Sequence, residues 1–177
     1  MKRKNKFLPS KTSRIQMSLM IKSSFIGVAA ILQKYNTKIH PKSEYLLKFD
    51  GCSKGNPGLA ACGAVLYQND IEIWTGSKFL GYKETNNYAE YMGLIIGLEK
   101  AVELNIRDLA VEGDSMLIIK QVNGDYKVNS NNIKKLYERV MDLKTNFDNI
   151  TFNHIYRENN KRADELCNKE IEELQQF

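Results

Sequence analysis

From residue 44 onward the chain is built of short apolar blocks separated by turn chemistry. Tyr45, Leu46, Leu47 and Phe49, interrupted only by Lys48, run into Asp50 and then into Gly51-Cys52-Ser53-Lys54-Gly55-Asn56-Pro57-Gly58. A first strand over residues 45–50 is therefore expected to finish on an acid, with a turn behind it. Residues 60–67 and 71–79 are two further β-rich runs joined through Asn69-Asp70. The three together predict an antiparallel meander. After Gly81 the period lengthens. Tyr88, Tyr91, Met92, Ile95, Leu98 and Val102 recur at intervals of three and four, the signature of a helix of roughly 17 residues. Asn87 followed by Glu90 has capping-box spacing near its start.

The second half alternates strands with helices. Leu109-Ala110-Val111 is a short strand that ends at Gly113-Asp114, and residues 115–122 form a short helix closed by Asn123-Gly124. A helix over Asn131–Lys144 carries Ile133, Leu136, Tyr137, Val140 and Leu143 on one face. Residues 150–156 predict a strand and 161–175 a final helix. The order βββαβααβα implies an α/β fold: a mixed five-stranded sheet covered by helices.

Composition and charge refine this outline. A length of 177 residues with 42% hydrophobic content suits one domain with a real core. Cys52, Cys62 and Cys167 are odd in number and form no C-x-x-C pair. That pattern argues against a disulfide framework and a zinc site and for an intracellular, reducing compartment, each thiol serving as a small buried hydrophobe. The formal charge of +5 is unevenly placed: residues 1–43 hold ten Lys or Arg and no acid, leaving residues 44–177 at −5. The expected organisation is a basic, disordered arm over 1–43 followed by one domain over 44–177. The arm suits a nucleic-acid-contacting tail, a nuclear or organelle address, or a solubilising tail, and composition leaves all three open. Its apolar run, residues 25–32, is too short to span a bilayer.

Four acids occupy comparable places in this outline. Asp50 ends the first strand, Asp114 follows the fourth at the start of a helix, and Glu90 and Asp164 fall in the first turns of two others. Singly, Asp50 suits a turn, Asp114 an N-cap, and Glu90 and Asp164 a helix dipole. Together they stand where sheets with crossover helices gather ligands, at the carboxyl ends of strands and the facing helix starts. Four clustered carboxylates need cations, and such hard oxygen donors suit Mg²⁺ or Mn²⁺, a pair of which serves phosphodiester hydrolysis. The Gly-rich stretch after Asp50 lacks the spacing of a phosphate-binding P-loop.

Four stretches in order, FDGCSKGNPG, ETNNYAEYMGLIIGLEKA, VEGDSMLIIKQVNG and HIYRENNKRADEL, resemble the motifs of type 1 ribonuclease H, which cuts the RNA strand of RNA–DNA hybrids. The resemblance spans residue 45 to about residue 173, and is closer to the compact type with a short NGDYKVNS connection than to the type with a long basic protrusion. It implies the ribonuclease H-like fold and a metal-dependent endonuclease that leaves 3′-OH and 5′-phosphate ends. Asp50, Glu90, Asp114 and Asp164 would be the catalytic acids, holding two Mg²⁺ ions with Mn²⁺ as a substitute. His154 would be a mobile proton-shuttling or product-releasing group, and Asn56, Thr85, Asn86 and Asn87 would touch the substrate. The implied partner is an RNA–DNA hybrid, with a monomeric protein and no membrane.

Two departures bear on binding. Met116 stands where some family members have a polar substrate contact, and the connection over residues 123–130 holds Lys127 as its single cation. The arm is therefore expected to supply part of the grip on the phosphate backbone. A nuclease of different substrate preference, and a non-catalytic module binding hybrids or a protein, remain as alternatives at this stage.

Overall fold

The computed structural model describes residues 43–174, so the basic arm apart from Ser43 lies outside the described residues. Nine main elements follow in order: β1 (Tyr45–Lys54), β2 (Gly58–Gln68), β3 (Ile71–Glu84), α1 (Asn86–Glu103), β4 (Asp108–Gly113), α2 (Met116–Val122), α3 (Asn131–Lys144), β5 (Asn149–His154) and α4 (Lys161–Leu174). A 3-10 turn at Arg157–Asn159 leads into α4. The strands form one sheet in the order β3-β2-β1-β4-β5. β1, β2 and β3 pair antiparallel, whereas β4 lies parallel to both β1 and β5. The mixed five-stranded sheet and the order of elements are as expected. At the β2–β3 turn, Asn69 and Asp70 both adopt positive φ, 50° and 66°. A two-residue hairpin between right-twisted strands needs that conformation, and Asn and Asp tolerate it well.

The meander strands run further than their composition suggests. β1 continues past Asp50 to Lys54, which pairs with Leu59 of β2, and β3 continues to Glu84. Residues 51–54 look like a turn in isolation, but ladder pairing with β2 overrides the weak intrinsic preference.

Helices cover both faces of the sheet. Side chains alternate along a strand, and on β1 the odd positions face α1: Leu47 lies against Gly97, and Gly51 against Ala89 and Glu90. On the opposite face Cys52 and Ala61 pack with Cys167 and Ile171 of α4. α3 packs on α1, and the main core lies between these helices and the sheet, with Leu47, Phe49, Tyr91, Leu94 and Val140 fully buried. Tyr91 donates its hydroxyl to Gln121 Oε1 at 2.8 Å, so its polar tip is satisfied inside that core. Cys62 and Cys167 are buried as expected, but Cys52 is half-exposed, because β1 there has lost its neighbour β4.

Two glycines set the helices close to the sheet. A Cβ on Gly51 would stand 2.1 Å from the backbone nitrogen of Glu90, and one on Gly63 would stand 2.6 Å from the carbonyl of Ala163. Gly51 and Gly63 flank Asp50, one in sequence and one as its cross-strand partner. The helices bearing Glu90 and Asp164 therefore approach Asp50 from opposite faces of the sheet.

Candidate active site

The parallel pairing of β1 with β4 ends at Phe49 and Gly113. Asp50 and Asp114 are the next residues on these neighbouring strands. Asp50 is thus not the last residue of its strand, as expected from sequence, but the first to lack a partner on the β4 side. It is 5% exposed. Gly113 also pairs with His154 at the end of β5, which brings the histidine alongside. His154 Nε2 lies 3.2 Å from the carbonyl of Asp114. That oxygen only accepts, so the contact is a hydrogen bond in those forms of the ring that carry a proton on Nε2. Tyr156 meets the imidazole edge to face at 6.0 Å.

α1 is capped by Thr85, not by an Asn87–Glu90 box. Thr85 is extended, and its Oγ1 accepts from the Tyr88 amide at 3.2 Å, satisfying one of the free donors of the first turn. Glu90 therefore lies beyond the first turn. It is 5% exposed, and its Oε2 finds no hydrogen-bond partner; Oε1 is 3.5 Å from Asn86 Nδ2. Asp114 is not a cap either, since Ser115 occupies that position of α2. Asp164 lies in the first turn of α4 as expected, and its Oδ1 pairs with Arg157 Nη2 at 2.5 Å.

Asn160 is a site residue that the sequence reading passed over. It is fully buried, and its Nδ2 donates to Asp114 Oδ1 at 2.6 Å and to the Phe49 carbonyl at 2.8 Å. An Asn immediately before a helix looks like an ordinary cap, and its backbone carbonyl does accept from the Asp164 amide. The side chain turns inward instead. The available signal was its place four residues before Asp164.

The acids share one electrostatic field. Burial pushes the Asp50 carboxyl up to about 7, assisted by Asp114 and then Asp164, while the Gly51 amide and Arg157 act the other way. Burial, followed by the charges of Asp50 and Asp114, also holds Glu90 well above the usual carboxylate range. Among the described residues, however, no three His, Cys, Asp or Glu side chains converge into a ready ligand shell. The amide of Asn160 and the guanidinium of Arg157 take up oxygens of Asp114 and Asp164.

The four residues expected to touch substrate are distributed around the start of α1. Asn56 Oδ1 accepts from the Asn86 amide at 3.0 Å, which ties the β1–β2 turn to the beginning of the helix next to Thr85. Asn87 lines a cavity of about 250 Å³ with Leu117, Lys127, Asn129 and Ser130. Met116 is exposed at the start of α2.

An antiparallel meander extended by two parallel strands, with acids at the β1–β4 junction, defines the class described as "Reverse transcriptase-like", whose family model matches residues 48–170. Ribonuclease HI of Halobacterium salinarum is 40% identical over 126 residues, covering 71% of this chain and 63% of that protein. Ribonuclease H of Francisella tularensis subsp. novicida is 32% identical over 150 residues, covering 75% of this chain and 94% of that protein. LC11-RNase H1, solved in complex with an RNA/DNA hybrid, superposes with a TM-score of 0.70 at 34% identity, over 74% of this chain and 99% of the other. The chain belongs to the ribonuclease H family. It spans 63% of the length of the Halobacterium relative and 34% of that of the mycobacterial proteins it matches at 40% identity.

Proposed function

We propose that this protein is an endoribonuclease that hydrolyses the RNA strand of RNA–DNA hybrids, dependent on divalent metal ions and leaving 3′-OH and 5′-phosphate ends. What carries this reading is that Asp50 and Asp114 directly follow the last paired residues of β1 and β4, while the helices bearing the buried Glu90 and, on α4, Asp164 approach Asp50 from opposite faces of the sheet. Membership in the ribonuclease H family supports the substrate.

The residues fit hard divalent cations. Every donor is a carboxylate oxygen, Glu90 Oε2 is buried without a partner, and Asp50 and Glu90 resist ionisation while no cation offsets their charges. Asp50, Glu90, Asp114 and Asp164 would hold Mg²⁺, or Mn²⁺ in its place. When bound, two such ions would supply Lewis acidity at the scissile phosphate and charge stabilisation at the leaving oxygen. An open ligand set suits Mg²⁺, which keeps waters and takes substrate oxygens.

The remaining residues bind, orient and move protons. Asn160 holds Asp114 against the end of β1. His154, a half-buried imidazole at the rim, exchanges a proton with the departing 3′-oxygen or the new 5′-phosphate. Asn56 and Asn86 face the 2′-hydroxyls that distinguish RNA from DNA. The cavity beside Asn87, with Lys127, Asn129 and Ser130 on its wall, accepts a DNA-strand phosphate near the α1 N-terminus. The protein acts as a monomer, and residues 1–43 bring ten Lys or Arg and no acid to the hybrid. Among the described residues, no helix is long and apolar enough to cross a membrane.

The test is cleavage of an end-labelled RNA–DNA hybrid with Mg²⁺, with EDTA, and by Asp114→Asn, against duplex RNA and duplex DNA as competitors. Cutting of the hybrid's RNA strand alone, lost with EDTA and in the variant, is the expected result. The Asp114→Asn side chain still offers an oxygen to Asn160, so the variant should stay folded while cleavage falls on the order of a thousandfold. Equal cutting of duplex RNA or DNA would transfer the reading to a nuclease of different preference. No cutting by folded wild-type protein with either Mg²⁺ or Mn²⁺ would leave a hybrid-binding module.

A further inference from the structure

Two thiols stand beside the acids without a part in the chemistry above. Asp50 and Cys52 are two apart on β1 and so point from the same face of the strand. Asp164 and Cys167 are three apart on α4 and share a helix face. Because α4 packs against that face of β1, the two spacings bring the thiols together as well as the acids. Cys52 packs against the small buried cluster that Cys167 forms with Ala61 and Ile171. Cys167 Sγ is also 3.7 Å from Asp50 Oδ2 and 3.4 Å from the carbonyl of Asp164. Cys52 is half-exposed whereas Cys167 is buried. Cys62 pairs with Gly51 across the strands and is therefore on the α1 face, away from both.

We propose that Cys52 and Cys167 form a redox-sensitive dithiol whose closure to a disulfide by a low-molecular-weight disulfide switches the neighbouring acid site off. Cys52, the accessible thiol, attacks one sulfur of the small disulfide, forming a mixed disulfide and releasing one equivalent of small thiol. The Cys167 sulfur then attacks the Cys52 sulfur and expels the second equivalent, which leaves with the proton that Cys167 carried. The protein loses two protons and two electrons, which reduce one small disulfide to two thiols.

The bridge changes the site because the cysteines are tied to the acids. Joining two packed, unbonded thiols by a bond of about 2.05 Å draws α4 toward β1, and Asp50 and Asp164 move with their elements. Cys167 at the same time loses the S–H beside Asp50 Oδ2. A misplacement of about 1 Å at a reacting centre costs roughly a hundredfold in rate. The loss of activity rests on the hydrolase reading; formation of the bridge does not.

The experiment treats the full chain with oxidised glutathione and reads it three ways. Intact mass should fall by two hydrogens, with a proteolytic cross-link joining the Cys52 and Cys167 peptides. Free thiols in denaturant should drop from three to one. Hybrid cleavage and the Mg²⁺-dependent rise in Tm should fall at least tenfold and disappear, respectively, and return with dithiothreitol. Cys52→Ser should keep the untreated activity and ignore the oxidant, and Cys62→Ala should respond like wild type. A persistent glutathione adduct on Cys52, no reaction at all, or a bridged protein with its Mg²⁺ response intact would each overturn the switch. Wild-type protein that forms the bridge but cuts no hybrid before treatment would count against the proposed activity instead.

Discussion

The side-chain amide of Asn160 lies 2.6 Å from Asp114 Oδ1 and donates a second hydrogen bond, of 2.8 Å, to the carbonyl of Phe49. One buried NH₂ group thus fastens an acid after β4 to the backbone just before an acid on β1. Both of its partners are acceptors, so only one orientation of the amide serves.

Asn160→Ala should therefore lose stability and geometry together. It strands a buried carbonyl and part of a carboxylate, a loss of about 2 kcal/mol. Asn160→Asp should be worse, because it opposes two acceptors with a third negative oxygen. In denaturant titration at pH 8 the aspartate variant should be the least stable, the alanine variant intermediate and the wild type the most stable, with kcat reduced more than KM in both variants. If both variants matched the wild type in stability, the amide would not be holding the site.

The two buried acids make a pH prediction with a definite sign. Asp50 is raised from 3.8 to about 7, and Glu90 is raised as well. The folded protein therefore binds protons that the unfolded chain releases. Their contribution is fully present below about pH 4 and is lost as pH climbs through about 7. In EDTA, stability should decline across that window, with Asp50 contributing on the order of 4 kcal/mol at most. Asp50→Asn should flatten the decline, and Mg²⁺ should restore Tm at pH 8 in wild type but not in the variant. A metal-free protein more stable at pH 8 than at pH 5 would contradict the assigned directions.

Arg157 opposes the four acids as a cation, with its side chain 74% exposed. An exposed ion pair contributes at most about 1 kcal/mol, so Arg157→Gln should leave Tm in EDTA nearly unchanged. It should nonetheless shift the Mg²⁺ concentration for half-maximal thermal stabilisation downward by several-fold, because the guanidinium no longer competes for Asp164. A midpoint equal to that of wild type would show that the pair opens without cost.

Most of this architecture is legible in the sequence. Change of period separates meander from helix, and Asn69-Asp70 announces its hairpin. Boundaries went wrong where pairing decided them: residues 51–54 are strand only because β2 supplies partners. The acids are legible as a set through their motifs, but their environments are not. Nothing local indicates that Glu90 lies beyond the cap, since Thr85 competes with Asn87 for that role. Asn160 and the cluster that holds Cys52 and Cys167 depend on α4 landing on β1 and β2, and that landing depends on Gly63 lacking a side chain. Such long-range juxtapositions leave no periodic trace.

The arm tests how the domain holds a polyanion. Residues 44–177 carry −5, and residues 123–130 offer Lys127 as their single cation, so the domain attracts phosphates weakly. Residues 1–43 hold ten Lys or Arg without an acid. Each cation that neutralises a phosphate steepens the fall of log affinity with log salt by roughly 0.7–0.9. Deleting residues 1–40 should therefore raise KM for a hybrid several-fold at low salt and flatten its salt dependence, while kcat at saturation stays within about twofold because the acids are untouched. The measurement is KM from about 50 to about 300 mM KCl for both lengths of chain. Parallel salt slopes would assign the arm to targeting or solubility, and the grip on the hybrid would then rest on the polar surface around Asn56, Thr85 and Asn87.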